Sequence, residues 1–143
     1  MTKLSIVLPT YNGERYLKEA LESILSQSFK DFELICINDC STDSTLKILN
    51  EYATKDKRIK IFTNSENKKL PASLNIGFGA SQGEYLTWTS DDNIYKPEAL
   101  NTMIEYLDQN QQVDLVCTAM DCINEKGEVY AETQKDVKRM RKN

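Results

Sequence analysis

The sequence predicts an α/β domain built on a mostly parallel sheet with helices on both faces. Three observations predict it. Short apolar runs alternate along the chain with longer segments whose apolar residues recur at helical spacing. The runs are nearly continuous in hydrophobicity, as strands buried on both sides must be. Clusters of polar and acidic residues follow three of the runs, where an open parallel sheet keeps its ligands.

Leu4 to Leu8 is the first apolar run, closed by Pro9, and reads as a buried strand. Gly13 to Gln27 follows as a helix with Tyr16, Leu17, Ala20, Leu21, Ile24 and Leu25 on one face. Phe32 to Asn38 is a second strand. Asp43 to Tyr52 is a second helix, capped by Ser41 or Asp43, with Leu46, Ile48, Leu49 and Tyr52 as its apolar positions. Ile59 to Thr63 is a third strand. Pro71 to Ser81 reads as a helix loosened at Gly77 and Gly79. Tyr85 to Thr89 is a fourth strand, and a helix entered at Pro97 runs to Asp108 with Leu100, Met103, Ile104 and Leu107 as its stripe. Val113 to Met120 reads as a fifth strand, and Lys126-Gly127 as a turn into a returning strand at Glu128 to Ala131. No repeat or low-complexity linker interrupts this order, so residues 1–134 read as one domain and 135–143 as a charged tail.

A chain of 143 residues can bury about two-thirds of its unfolded surface. The net charge of −4, from 18 basic and 22 acidic residues, leaves no electrostatic footprint for nucleic acid. Lys135, Lys138, Arg139, Arg141 and Lys142 form a local basic cluster. No apolar run approaches the ~20 residues that span a bilayer. The first residues lack the length and cleavage site of a signal peptide, so the expected compartment is the cytoplasm. Cys36, Cys40, Cys117 and Cys122 have no zinc-type spacing. They read as reduced thiols, with Cys36 and Cys117 as small buried hydrophobes.

The sharpest local feature is Ser90-Asp91-Asp92-Asn93, where a β-prone run ends in adjacent carboxylates. Two such charges repel by roughly 4 kcal/mol at ~4 Å and an effective dielectric of about 20. A divalent cation turns that cost into a gain. Asp92 or Asn93 serves equally as a helix N-cap in a plainer reading. Pro9-Thr10-Tyr11-Asn12-Gly13-Glu14 follows the first strand, and Asn38-Asp39-Cys40-Ser41-Thr42-Asp43 the second. Three such strand ends on one rim describe a pocket. There is no G-x-G-x-x-G and no P-loop, which disfavours NAD and NTPase readings. The absence of histidine excludes a Ser-His-Asp nucleophile. A site of carboxylates, hydroxyls and an aromatic suits a phosphorylated ligand bridged by Mg²⁺ or Mn²⁺, with the metal as Lewis acid on a leaving phosphate.

Five fragments occur in order: Ser5 to Asn12, Ile37 to Ser44, Ser73 to Gly77, Gly83-Glu84-Tyr85, and Ser90-Asp91-Asp92-Asn93 followed by Pro97. Together they resemble the inverting glycosyltransferases of family 2, over about residues 3 to 120. The resemblance implies the GT-A fold, the Rossmann-like fold of nucleotide-diphospho-sugar transferases, here truncated to its N-terminal nucleotide-sugar-binding portion. It implies a metal-dependent transfer, with inversion, from a nucleotide-diphospho-sugar such as a UDP-sugar. It places Pro9, Thr10 and Tyr11 in the base pocket, where an aromatic stacks on a pyrimidine. It puts Glu14 near the base or ribose, Asp39 as an acceptor from either, and the Asn75 to Gly77 segment beside the diphosphate. The family's acidic motif, counted back from Pro97, makes Asp92 the ligand of Mg²⁺ or Mn²⁺ and Asp91 a ribose or outer contact.

Four positions depart from the family pattern. Ser90 replaces the first Asp of the motif, Asn38 and Cys40 stand where Asp and Gly are common, and Leu74 stands where Arg is common. Each of Glu14, Asp39 and Asn75 also has a plain local role, as first-turn charge, turn residue or helix cap. Inversion requires a base to deprotonate the acceptor hydroxyl. Asp121 lies nearest a rim position after Asp92, but no motif surrounds it, and no base is assigned. The expected protein is therefore a donor-binding half acting with an unknown saccharide or lipid-linked acceptor. Peripheral membrane association at the inner face and homodimerisation are open expectations, and cell-wall or polysaccharide biosynthesis is the implied setting. The alternative is a non-catalytic nucleotide-sugar-binding or interaction module that keeps the fold without the acceptor half.

Overall fold

The computed structural model describes residues 2–132. Its elements run β1 (Leu4–Thr10), α1 (Leu17–Leu25), β2 (Phe32–Asn38), α2 (Thr45–Ala53), β3 (Ile59–Thr63), α3 (Lys69–Ala80), β4 (Tyr85–Trp88), α4 (Ala99–Gln109), β5 (Asp121–Ile123) and β6 (Val129–Glu132). The chain divides into two compact units between Leu100 and Asn101.

The first unit is a four-stranded sheet in the order β3-β2-β1-β4, parallel throughout. Its pleat sorts the core. Val7, Ile35 and Ile37 pack under Leu74, Ile76, Phe78 and Ala80 of α3. The alternate residues Ile6, Leu8, Leu34 and Cys36 are fully buried on the opposite face. Right-handed crossovers place α1 and α2 there, with Leu17, Ala20, Leu21, Ile24, Ile48 and Leu49 as their buried stripes. Each fully buried Leu or Ile contributes about 1.5–3 kcal/mol. The α/β class with helices on both faces is thus the one the sequence predicts.

Several boundaries differ, each for a physical reason. β1 runs through Pro9 to Thr10 rather than stopping at Leu8. Val7 accepts from the Thr89 amide on the β4 side and Thr10 accepts from the Asp39 amide on the β2 side. By alternation Pro9 faces β4, whose pairing has already ended at Val7, so no ladder donor is lost. The α2 N-cap position is Ser44, whose side chain makes no capping bond; Asp43 Oδ1 instead accepts from the Thr45 amide at 2.9 Å. α3 is not loosened at Gly77: a Cβ there would lie 2.2 Å from Val7 Cγ1, so glycine is what lets the helix touch the sheet.

The amino ends of the strands are closed by a polar cluster. Ser5 Oγ donates to Glu33 Oε1 at 2.6 Å, the Gln82 amide donates to the same oxygen at 2.7 Å, and Lys60 Nζ meets Glu33 Oε2 at 2.6 Å. The Gly83 amide donates to Ser5 Oγ at 2.8 Å. The Glu33 carboxyl is pushed up by burial, but its bonds to Lys60, Ser5 and Gln82 outweigh this and leave it below the ordinary carboxylate range.

In the second unit the predicted strand at Val113 to Met120 does not form. Its apolar residues supply a pattern, but a strand exists only where a neighbour supplies backbone partners, and none among the described residues does. Leu115, Cys117 and Met120 are exposed there, which also corrects the expectation that Cys117 is buried. The expected turn at Lys126-Gly127 is present, between the antiparallel strands β5 and β6, and Gly127 has φ 78°. All four cysteines are free thiols, and burial pushes Cys36 up to about 12. Among the described residues no helix is long and apolar enough to cross a membrane. The basic cluster at 135–142 lies outside the described residues.

Candidate functional site

The strands β1, β2 and β3 follow one another outward, and α3 then carries the chain back to β4 on the other side of β1. The topological switch therefore lies between the carboxyl ends of β1 and β4, where an open α/β sheet leaves a crevice. Thr10 closes β1 at this point, and the Thr89 to Asn93 turn follows β4.

The loops after β1 and β2 are stitched together. The Asn12 amide donates to Ser41 Oγ at 3.0 Å, and the Thr42 amide returns a bond to Asn12 Oδ1 at 2.8 Å. The Gly13 amide donates to Thr45 Oγ1 at 2.9 Å. The Glu14 amide donates to Asp43 Oδ2 at 3.2 Å, while the Ser44 amide donates to Glu14 Oε2 at 2.9 Å. Burial pushes the Asp43 carboxyl up, and hydrogen bonds from Thr45 and the Glu14 amide outweigh it, leaving it low. Glu14 thus serves as a reciprocal clasp on the start of α2. It also borders a groove of about 320 Å³ with Lys18, Ser44, Lys47, Ile48 and Glu51, which neither Asp91 nor Asp92 lines.

Across the switch point, the buried Thr10 hydroxyl donates to Asp91 Oδ2. Gly13 lies against the same pair: a Cβ there would fall 2.1 Å from Asp91 Oδ2 and 2.6 Å from Thr10 Oγ1. Burial raises the Asp91 carboxyl; the Thr10 bond opposes this, and the charges of Asp92 and Asp43 add to the rise. Asp92 is exposed beside it. The chain beyond the turn is pinned to the end of α1. Gln27, fully buried, donates from Nε2 to the Lys96 carbonyl at 2.8 Å and accepts at Oε1 from the Leu100 amide at 3.1 Å. The Tyr95 amide donates to Ser23 Oγ at 3.1 Å.

Asp39, only 4% exposed, faces the loop that leads from β3 into α3. Oδ1 accepts from Asn64 Nδ2 and from the Lys68 amide, and Oδ2 from the Lys69 amide, each at 2.8 Å. Asn64 Nδ2 also reaches Ser73 Oγ at 3.2 Å. Burial raises the Asp39 carboxyl and these donors outweigh it, so it lies below its ordinary range. Ser73 adds a further side-chain hydrogen bond, so Asp39 ties the loop from β3 into α3 on both of its oxygens.

Of the sequence-predicted residues, the structure brings Thr10 and Asp91 into direct contact, with Asp92 adjacent. Pro9 precedes them on β1 and is buried; Tyr11 is half exposed on the rim at 51%. Glu14 and Asp39 stand on the neighbouring strand-end loops. Asn75 is exposed on α3, with no described hydrogen bond that draws it to the crevice. Gly13, Gln27 and Asn64 shape the site and carry no motif of their own. Among the described residues the non-glycine positions of positive φ are Asn12 (53°) and Cys40 (62°), in these carboxyl-end loops, and Lys69 (67°), the first residue of α3.

The donor set suits a phosphate-bridged divalent cation. Among the described residues no three Asp, Glu, Cys or His side chains form a ready-made cage. Mg²⁺ needs only one or two carboxylates when phosphate and water complete its shell. Asp92 is the exposed carboxylate that could reach such a cation, with Asp91 beside it, raised by burial and by the charges of Asp92 and Asp43.

Comparison with known proteins bears on this arrangement. The family described as Glycosyl transferase family 2 matches residues 5–143. An uncharacterized glycosyltransferase of Haemophilus influenzae is 38% identical over 123 residues, covering 86% of this chain and 38% of that protein. The poly(ribitol-phosphate) beta-glucosyltransferase of Bacillus spizizenii is 34% identical over 141 residues, 94% of this chain and 22% of its own. The chain thus spans less than half the length of these relatives. S. aureus TarS, solved with UDP, superposes with a TM-score of 0.72 at 31% identity, over 76% of this chain and 33% of its own; TarS is also solved with UDP-GlcNAc. A mannosyltransferase of Pyrobaculum calidifontis, solved with GDP-Man and Mn²⁺, shares the fold at a TM-score of 0.70 and 21% identity, over 85% of this chain and 35% of that one.

Proposed function

The chain belongs to glycosyl transferase family 2, and we propose that it forms the donor site of a metal-dependent, inverting transferase that takes its sugar from a UDP-sugar. The observation that carries this reading is the Thr10–Asp91–Asp92 corner at the topological switch, an acidic turn seated between the ends of β1 and β4. TarS, similar over three quarters of this chain, binds UDP and UDP-GlcNAc.

In this reading Pro9 and Tyr11 border the base, with the Tyr11 ring available for stacking. Asp39 accepts a hydrogen bond from the base or ribose at the rim of β2, and Glu14 and Asn75 border the ribose and the diphosphate. Asp92, with Asp91 behind it, holds Mg²⁺ or Mn²⁺, which when bound neutralises charge on the departing diphosphate. The acceptor is a saccharide or a lipid-linked saccharide in cell-wall or polysaccharide assembly, reached from the cytoplasmic side.

Calorimetric titration of UDP with and without Mn²⁺ tests the reading. Metal-dependent binding that is lost in Asp92→Ala and weakened in Asp39→Ala is the expected result. Equal heats with and without metal would overturn it. A second reading, a binding module without transferase activity, is motivated by Ser90, which stands where the family's acidic motif has its first Asp. Transfer or donor hydrolysis by this chain would eliminate it.

A further inference from the structure

We propose that Thr10 and Gly13 are positioning residues for the metal ligand, seating the Asp91 carboxylate in a notch so that the turn presents Asp92. The inference rests on the donor-site reading and reassigns Thr10, which the family resemblance puts against the base.

Two independent observations converge on the notch. Thr10, buried at the last position of β1, gives its hydroxyl proton to Asp91 Oδ2. That same oxygen occupies the space a side chain on residue 13 would need, 2.1 Å from where its Cβ would stand. Glycine is therefore required here by proximity, not by a left-handed backbone. Nor can the loop back away, because the Gly13 amide is held by Thr45 Oγ1 at 2.9 Å and its neighbours are tied to Ser41, Thr42 and Asp43. The notch thus has a fixed wall on the α2 side and a fixed floor at the end of β1.

Fixing Asp91 orients the residue after it. The turn is anchored before by the Thr89 amide on the Val7 carbonyl at 2.9 Å, and after by the Tyr95 amide on Ser23 Oγ. Between those anchors Asp91 supplies the inward hold, and Asp92 remains exposed. Outer partners that orient a ligand typically govern metal affinity by about 10- to 100-fold. The arrangement gives a contact-level basis to the division that the family motif implies, with Asp91 holding and Asp92 binding.

The test measures Mn²⁺ affinity in the presence of UDP by calorimetry, and UDP affinity in EDTA by NMR chemical shift. Thr10→Val removes the hydroxyl at constant shape, Gly13→Ala fills the notch, and Thr10→Ser restores the donor. The expected result is an Mn²⁺ affinity about 10- to 100-fold lower in Thr10→Val and Gly13→Ala, unchanged UDP affinity in EDTA, and recovery in Thr10→Ser. Should Gly13→Ala fail to fold, as thermal unfolding would show, the Thr10 pair decides. Loss of UDP affinity in Thr10→Val to the same degree with and without Mn²⁺ would overturn the proposal and make Thr10 a nucleoside contact. Unchanged Mn²⁺ affinity in Thr10→Val would overturn it as well. If the unaltered chain shows no Mn²⁺-dependent gain, the donor-site reading itself falls; a gain insensitive to Thr10→Val sinks this inference alone.

Discussion

The two ends of the parallel sheet each seat a carboxylate, in opposite electrostatic conditions. At the amino end Glu33 is buried with Lys60 as its cation and with the Ser5 hydroxyl and Gln82 amide as donors, and its carboxyl is held below the ordinary range. At the carboxyl end burial and the charges of Asp92 and Asp43 raise Asp91, against bonds from the Thr10 hydroxyl and from its own backbone amide. The first arrangement is complete in itself and welds the α3–β4 connection to β1 and β2. The second is short of positive charge. Strained backbone follows the same division: Asn12, Cys40 and Lys69 are all at the carboxyl end. Like charge and left-handed backbone thus gather on the rim where the donor site is proposed.

The comparison can be broken first at the amino end. Glu33→Ala leaves buried donors without an acceptor and should lower stability by about 3 kcal/mol, read by thermal or urea unfolding. A neutral result would mean the cluster is ornamental. At the other end, Asp92→Asn should leave stability nearly unchanged and reduce Mn²⁺-dependent UDP affinity by about tenfold or more, measured by calorimetry. Loss of fold without loss of metal dependence would reverse the assignment of the two ends.

Acid titration of stability sharpens the contrast, because the signs oppose. Glu33 has a folded pKa below its unfolded one, so its contribution is present above the unfolded value and drains as the pH falls through the folded one. Asp91 has a folded pKa above its unfolded one, so stability is gained as the pH falls between the two. Asp91→Asn should therefore raise metal-free stability near neutral pH, by up to about 1 kcal/mol, and remove the gain on acidification. The smallest effect is expected at Cys40, whose φ of 62° suits glycine: Cys40→Gly should stabilise by about 0.5 kcal/mol in thermal unfolding.

Much of the first unit was legible because burial on both faces writes itself into composition. Leu4 to Leu8 and Phe32 to Asn38 could hardly be anything but inner strands, and the stripes of α1 and α2 have helical spacing. The resemblance carried the acidic turn and Asp39. What was not legible depended on partners distant in sequence. Val113 to Met120 has a strand's apolar pattern and pairs with no strand among the described residues. Gly77 reads as a weakness in a helix until Val7 is seen beneath it. Gln27 has no motif, yet it ties the end of α1 to the segment after the acidic turn.

The sequence by itself determined the α/β class, the order of β1 to α4, and the concentration of polar residues after three strands. These follow from local periodicity and composition, which need no knowledge of what lies across the fold. Only the tertiary structure decided what each carboxylate touches. Asp91 and Asp92 are neighbours of one chemistry, and the count back from Pro97 tells them apart without giving either a partner. Thr10 and Gly13 come from about 80 positions earlier in the chain to meet one and leave the other exposed. Contacts at that separation arise only once the sheet has closed, because β1 and β4 are neighbours in space and not in sequence.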